Sequence, residues 1–197
     1  MSQKFVLASR NSHKVEELDR ILKLAGIDAQ LLTVADFPDA PEVPETESTF
    51  EGNALLKARA LAKHTGLTAI ADDSGLCVNA LNGMPGVLSA RWSGSDNDAD
   101  RANMDLVLRQ IHDVPDVRRG AQFVCAAAVV RADGEEFTVR GTVDGVLVRE
   151  PRGTHGFGYD PIFVPNGFDV TTAEMTADQK DAISHRGQAM RQLAELI

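Results

Sequence analysis

Residues 121–131, AQFVCAAAVVR, and residues 136–148, EFTVRGTVDGVLV, are two long β-rich runs separated only by Ala132-Asp133-Gly134-Glu135. An Asp-Gly step between two such runs is a strong short-range signal for a hairpin. The hairpin predicts an antiparallel pair at the centre of the chain. Upstream, residues 4–8 (KFVLA) read as a short buried strand, followed by the polar turn SRNSHK. Val15, Leu18, Ile21, Leu22 and Ala25 then recur at helical spacing, and Gly26 is a natural stop. A strand-loop-helix opening combined with a hairpin predicts an α/β fold: a mixed β-sheet with a long antiparallel hairpin and flanking helices.

Between these landmarks, residues 36–48 (DFPDAPEVPETES) are rich in proline and acid and read as an exposed loop. Thr49 is placed to cap a helix in which Phe50, Ala54, Ala58 and Leu61 share one face. Residues 67–71, LTAIA, form an apolar strand that the Asp72-Asp73 pair is expected to end. NGMPG at 82–86 marks a turn, and the polar run at 93–100 precedes a helix reaching Ile111. Residues 149–163, REPRGTHGFGYDPIF, are too rich in glycine for regular structure, apart from a short strand around PIFV. Thr176 with Gln179 matches a capping box, and a last helix starts near Ser184 with Met190, Leu193 and Ile197 facing inward.

The chain has 197 residues, 43% of them hydrophobic, which is enough for one domain spanning 1–197 with a sizeable core. A net charge of −9 disfavours a nucleic-acid binder, which carries a basic stripe. No apolar run is long enough to span a bilayer, and residues 1–11 lack a signal-peptide core, so a cytoplasmic protein is expected. Cys77 and Cys125 lie in apolar surroundings and read as small buried hydrophobes.

Four groups of residues carry chemistry. Ser9, Arg10, Asn11, Ser12, His13 and Lys14 join a strand to a helix N-terminus, a place where backbone N–H groups and cations can meet an anion, or simply a capped polar loop. Glu45 and Glu47 lie in the acidic loop, and Asp72, Asp73 and Ser74 follow the second strand. Because strand side chains alternate, only one of the two aspartates need face a given site. Converging carboxylates suit Mg²⁺, although Asp-Asp-Ser-Gly is also a turn composition. In GTHGFGYDPIF the glycines allow a close backbone approach, and Phe157 and Tyr159 could offer flat surfaces for a base, with Gly158 and Asp160 beside them, or the stretch is a tight loop with packed aromatics. Lys180, His185 and Arg186 supply donors, and a break near Ser184 would let Lys180 and His185 reach one pocket, although such a cluster also reads as a solvated basic helix face.

Six motifs occur in order: Ser9-Arg10-Asn11 with Lys14, TFEGNALLKA, ADDSGL, PGVLSARWSG, GFGYDPIF and SHRGQAM. From residue 5 to about 195 this arrangement resembles the inosine/xanthosine triphosphate pyrophosphatases. The resemblance implies two lobes around a central cleft, a homodimer, and Mg²⁺-dependent hydrolysis of dITP, ITP or XTP to the monophosphate and pyrophosphate. It implies that residues 9–14 contact the triphosphate, and that Asp73 is general base and metal ligand. Glu45 would be a second metal ligand and Ser74 a substrate contact. Phe157, Gly158, Tyr159, Asp160, Lys180, His185 and Arg186 would hold the nucleotide and its base. Backbone N–H groups of the 157–160 loop and the His185–Arg186 pair are expected to donate to a purine O6. His155 stands where the family often has glycine, and Pro44 where some relatives have a second acid. Two further readings fit parts of the pattern: a nucleotide sensor that does not hydrolyse, and a pyrophosphatase for modified pyrimidine nucleotides.

Overall fold

The two-residue alternation of the strands organises the core and decides which way Asp72 and Asp73 point. The computed structural model describes residues 3–9, 12–24, 26–95 and 97–197. Among them, six strands form one sheet in the order β2-β1-β3-β4-β5-β6. These are β1 Gln3–Leu7, β2 Ala29–Thr33, β3 Thr68–Val78, β4 Gly120–Val130, β5 Glu136–Leu147 and β6 Phe163–Pro165. The helices are α1 Ser12–Leu24, α2 Phe50–Thr65, α3 Ala99–Gln110, α4 Ala177–Ile183 and α5 His185–Ala194.

β1 runs parallel to both β2 and β3, while β5 and β6 are antiparallel. β4 and β5 are sheet neighbours joined only by residues 131–135, which forces an antiparallel pair, since a parallel one needs a long crossover. Arg131 N donates to Glu135 O at 2.8 Å and Gly134 N to Arg131 O at 2.9 Å, closing the turn. The sheet is mixed, as the hairpin predicts. The edge strand β2 was not expected from AQLLT, a short and only partly buried segment.

The chain divides into two compact units. The first comprises residues up to Asp73, with Cys125–Gly141 and Arg186–Ile197; the second comprises Ser74–Val124 and Thr142–His185. In the first unit, Phe5, Leu7, Ile70, Cys125, Ala127 and Val129 pack with Leu18, Ile21 and Leu22 of α1 and Ala189, Met190 and Leu193 of α5. Their neighbours Val6, Ala69, Ala71, Ala128 and Val130 pack with Ala54, Ala58, Leu61 and Ala62 of α2. Odd and even strand positions thus serve opposite faces, one covered by α1 and α5, the other by α2. In the second unit, Leu76, Val78, Ala121, Phe123 and Leu147 pack with Met104, Val107 and Ile111 and with Tyr159, Ile162 and Phe163.

The helix ends follow the sequence signals. Thr49 Oγ1 accepts from Gly52 N at the start of α2, and Gly66 ends the helix at φ 68° with its N–H on Ala62 O. A threonine cap of this kind stabilises a helix by about 1 kcal/mol. Thr176 and Gln179 form the expected capping box on α4, and Ser184, extended at φ −60° and ψ 142°, breaks α4 from α5.

Candidate active site

The aspartate pair does not end a strand. β3 continues through it to Val78, with Asp72 and Asp73 both buried. Two adjacent acids are tolerated there because each finds partners on its own face of the sheet. Asp72 shares the side of Ile70, covered by α1 and α5, and those helices supply its cations. Lys14 Nζ donates to Asp72 Oδ2 at 2.8 Å, while Arg186 Nε and Nη2 lie 3.3 and 3.4 Å from the same oxygen. Burial opposes ionisation, but Lys14 and Arg186 outweigh it and hold the Asp72 carboxyl far below the usual carboxylate range.

Asp73 shares the side of Ala69 and Ala71, against α2. Asn53 Nδ2 donates to its Oδ2 at 3.0 Å, and Lys57 Nζ stands 3.5 Å from its Oδ1. Lys57 also donates to Glu45 Oε1 at 3.0 Å. Burial raises the Asp73 pKa, the charges of Glu45 and Asp72 add to that, and Lys57 with Asn53 only partly offsets it. For Lys57, burial pulls the pKa down, but Asp73, Glu45 and Asp72 together push it above its ordinary value, so it stays an ammonium. Sequence reasoning missed Lys57. The available signal was its i,i+4 spacing from Asn53 within TFEGNALLKA, which puts both on one helix face.

Among the described residues of this cluster, three cations (Lys14, Lys57, Arg186) are matched by three carboxylates (Glu45, Asp72, Asp73). An incoming polyphosphate therefore brings charge that this set does not cancel. Glu45 and Asp73 both reach the single Lys57 ammonium, so their oxygens converge on a small volume. Two hard oxygen donors in that relation, with water or phosphate oxygens completing the shell, fit the chemistry of Mg²⁺. A cavity of about 200 Å³ adjoins Ser9 and Lys57 and is walled by Val34, Ala40, Pro41 and Leu61.

The second unit holds a separate pocket lined by Phe123, Asp160, Thr172, Lys180, Ser184 and His185. Buried Asp160 is its organiser. Its Oδ2 accepts from Phe157 N at 2.9 Å and Lys180 Nζ at 2.5 Å, and its Oδ1 accepts from Thr172 Oγ1 at 2.8 Å. The His185 ring stacks on Phe123 with centroids 5.0 Å apart and planes 10° apart. Half-exposed Phe157 presents a ring with Lys180 Nζ 5.3 Å from its centroid. Ser74, the next residue of β3, is half-buried.

Several expectations need correction. Tyr159 offers no surface to a base: it is buried, its hydroxyl donates to Ser89 O at 2.9 Å, and burial, aided by the Asp100 charge, pushes its pKa up. The backbone N–H groups of the 157–160 loop are largely engaged, Phe157 N and Gly158 N by Asp160 and Asp100 and Asp160 N by Phe157 O. Arg186, expected to donate with His185 to a purine O6, lies with Lys14 on Asp72. Exposed His155 uses its N–H on Ala173 O. Arg10 and Asn11, and the side chains of Ser12 and His13, lie outside the described residues.

Residues 5–196 match the model of the Ham1 family. The chain is 54% identical over 195 residues to the dITP/XTP pyrophosphatase of Mycobacteroides abscessus, covering 98% of this chain and 94% of that protein. It is 57% identical over 189 residues to the dITP/XTP pyrophosphatase of Nocardia farcinica, covering 95% and 91%. Among solved structures, a HAM1 protein from Coxiella burnetii superposes with a TM-score of 0.91 at 41% identity over 98% of each chain. The crystal structure of the M. abscessus dITP/XTP pyrophosphatase gives 0.82 at 55% identity, covering 99% and 98%.

Proposed function

The chain belongs to the Ham1 family, and from that premise we propose that it hydrolyses dITP, ITP and XTP to the nucleoside monophosphate and pyrophosphate. The observation that carries the reading is the Glu45–Lys57–Asp73 bridge, with Asp73 held at a raised pKa beside a fixed ammonium. A carboxylate tuned upward is suited to accept a proton, as a general base must.

Phosphoryl transfer asks the protein mainly to position groups and balance charge. Asp73 takes the proton of the water that attacks the α-phosphorus. Lys57 keeps Asp73 and Glu45 together, and Lys14 with the 9–13 segment binds the departing pyrophosphate. Glu45 and Asp73 are the ligands we assign to Mg²⁺, which when bound supplies Lewis-acid polarisation of the phosphate. Ser74 is assigned to the substrate, and Phe157 stacks on the base. Lys180, which keeps two N–H donors beyond the one on Asp160, and His185 read the purine O6. Adenine places an amino donor there, and an unmatched desolvated polar group costs about 1–3 kcal/mol.

The members of the family named above are pyrophosphatases for dITP and XTP, which supports the substrate class. We further assign residues 1–197 to one catalytic domain, acting as a homodimer in the cytoplasm; no helix among the described residues is long and apolar enough to cross a membrane. The test is pyrophosphate release from dITP, XTP, dGTP and dATP, each with and without Mg²⁺. Metal-dependent turnover of dITP and XTP, with dATP untouched, is expected. Tight binding of dITP without pyrophosphate release would make the protein a sensor instead.

A further inference from the structure

Asn53 is fully buried within the first turns of α2, an unusual place for a side-chain amide and a poor use of a helix position on propensity alone. Both ends of that amide are committed. Its Oδ1 accepts from Glu47 N at 2.9 Å, and its Nδ2 donates to Asp73 Oδ2 at 3.0 Å. The orientation is forced, because a backbone N–H can meet only the oxygen and an ionised carboxylate only the NH₂ group. Glu47 is two residues from Glu45. One amide therefore ties the loop that carries one acid to the strand that carries the other.

The neighbouring residue adds to this. A Cβ on Gly52 would stand 2.7 Å from Glu47 Cβ, so the acidic loop lies directly on the first turn of α2 with no room for a side chain between. The loop's place depends on that turn, and Asn53 is the group that connects the turn to Asp73.

We infer that Asn53 is a positioning residue: it fixes the spacing of Glu45 and Asp73 by holding the acidic loop through its oxygen and the Asp73 carboxylate through its nitrogen. This rests on the pyrophosphatase reading above for what the two acids do. An aliphatic residue of the same size would fill the space and hold neither partner. Aspartate would keep the acceptor for Glu47 N–H and set a second carboxylate against Asp73, so that like charge replaces the donated hydrogen bond.

The experiment compares Asn53→Asp and Asn53→Leu in steady-state dITP hydrolysis and in hydrogen exchange at the Glu47 amide. Asn53→Asp is expected to keep the Glu47 amide protected and the KM for dITP near that of the unaltered protein, while kcat falls about 10- to 100-fold. Asn53→Leu is expected to lose both the protection and the turnover. Unaltered kcat in either folded variant overturns the inference, as does a fast-exchanging Glu47 amide in the unaltered protein. A KM rise matching the kcat loss, with a lowered melting temperature, reduces Asn53 to a purely structural role. If Asn53→Leu does not fold, Asn53→Asp decides alone. If the unaltered protein releases no pyrophosphate from dITP or XTP, the functional reading fails instead, and the exchange arm still judges the two hydrogen bonds.

Discussion

Asp72 and Asp73 are consecutive in β3, yet their surroundings drive their ionisation in opposite directions. Lys14 and Arg186 overcome burial to keep Asp72 charged far into acid, whereas burial of Asp73 is only partly offset by Lys57 and Asn53. Strand alternation separates the two, giving one acid to α1 and α5 and the other to α2. One carboxylate is held as a charge, and the other is shifted toward its protonated form.

Asp73→Asn is expected to reduce kcat for dITP by about 10²- to 10⁴-fold, the usual value of a general base. The same variant should unfold at higher denaturant than the unaltered protein at neutral pH, measured without metal. The sign follows from the raised pKa: ionised Asp73 opposes folding above its folded-state pKa, and that cost vanishes below the unfolded value. A variant both inactive and less stable would contradict this assignment.

Asp72→Asn should behave in the opposite way. Its folded-state pKa is depressed, so its contribution is full above the unfolded value near 4 and is lost as pH falls toward the folded value. Removing the charge leaves Lys14 and Arg186 facing a neutral amide. A loss of about 3 kcal/mol is expected in urea unfolding at pH 7, at the low end for a broken buried pair because Lys14 is partly exposed. The difference from the unaltered protein should shrink as the pH is taken well below 4.

Gly156→Ala probes the loop held by Asp160. Gly156 has φ +77°, and an added Cβ would fall 2.1 Å from Asp160 Oδ2, the oxygen that holds both Phe157 N and Lys180. Displacing it should raise the KM for dITP about tenfold, equivalent to 1.4 kcal/mol, with a smaller change in kcat. Equal loss in both constants would mean that the loop serves the chemical step.

His185→Ala is expected to reduce the preference for dITP over dATP by about 10- to 100-fold, the loss of one matched donor. Phe123→Ala keeps the imidazole but removes the ring it lies against, so it should lower the same preference by less. Competition between the two nucleotides in one reaction measures both. An unchanged preference in His185→Ala would move base reading to Lys180.

Much of the architecture was legible in local signals. The Asp-Gly hairpin, the Thr49 and Thr176 caps and the break at Ser184 all depend on residues close in sequence, and each is present. The course of β3 through Asp72 and Asp73 was not legible. Adjacent carboxylates end a strand unless something compensates them, and the compensating groups come from positions 14, 53, 57 and 186. The spare hydrogen-bonding capacity of the glycine loop was misjudged for a similar reason. Gly158 N is taken by Asp100, which is 58 positions away.

One packing arrangement also governs how such a chain can come into being. Phe5 and Leu7 share a core with Ala189, Met190 and Leu193. As the polypeptide leaves the ribosome, β1 emerges early, but the residues that complete its hydrophobic surroundings are made almost two hundred positions later. α1 can cover part of that face soon after the strand is made, but the share that belongs to α5 stays open through nearly all of synthesis, and contacts this distant close slowly. A nascent chain halted before α5 would leave open the part of that face which Ala189, Met190 and Leu193 cover, an apolar surface for a chaperone to grip.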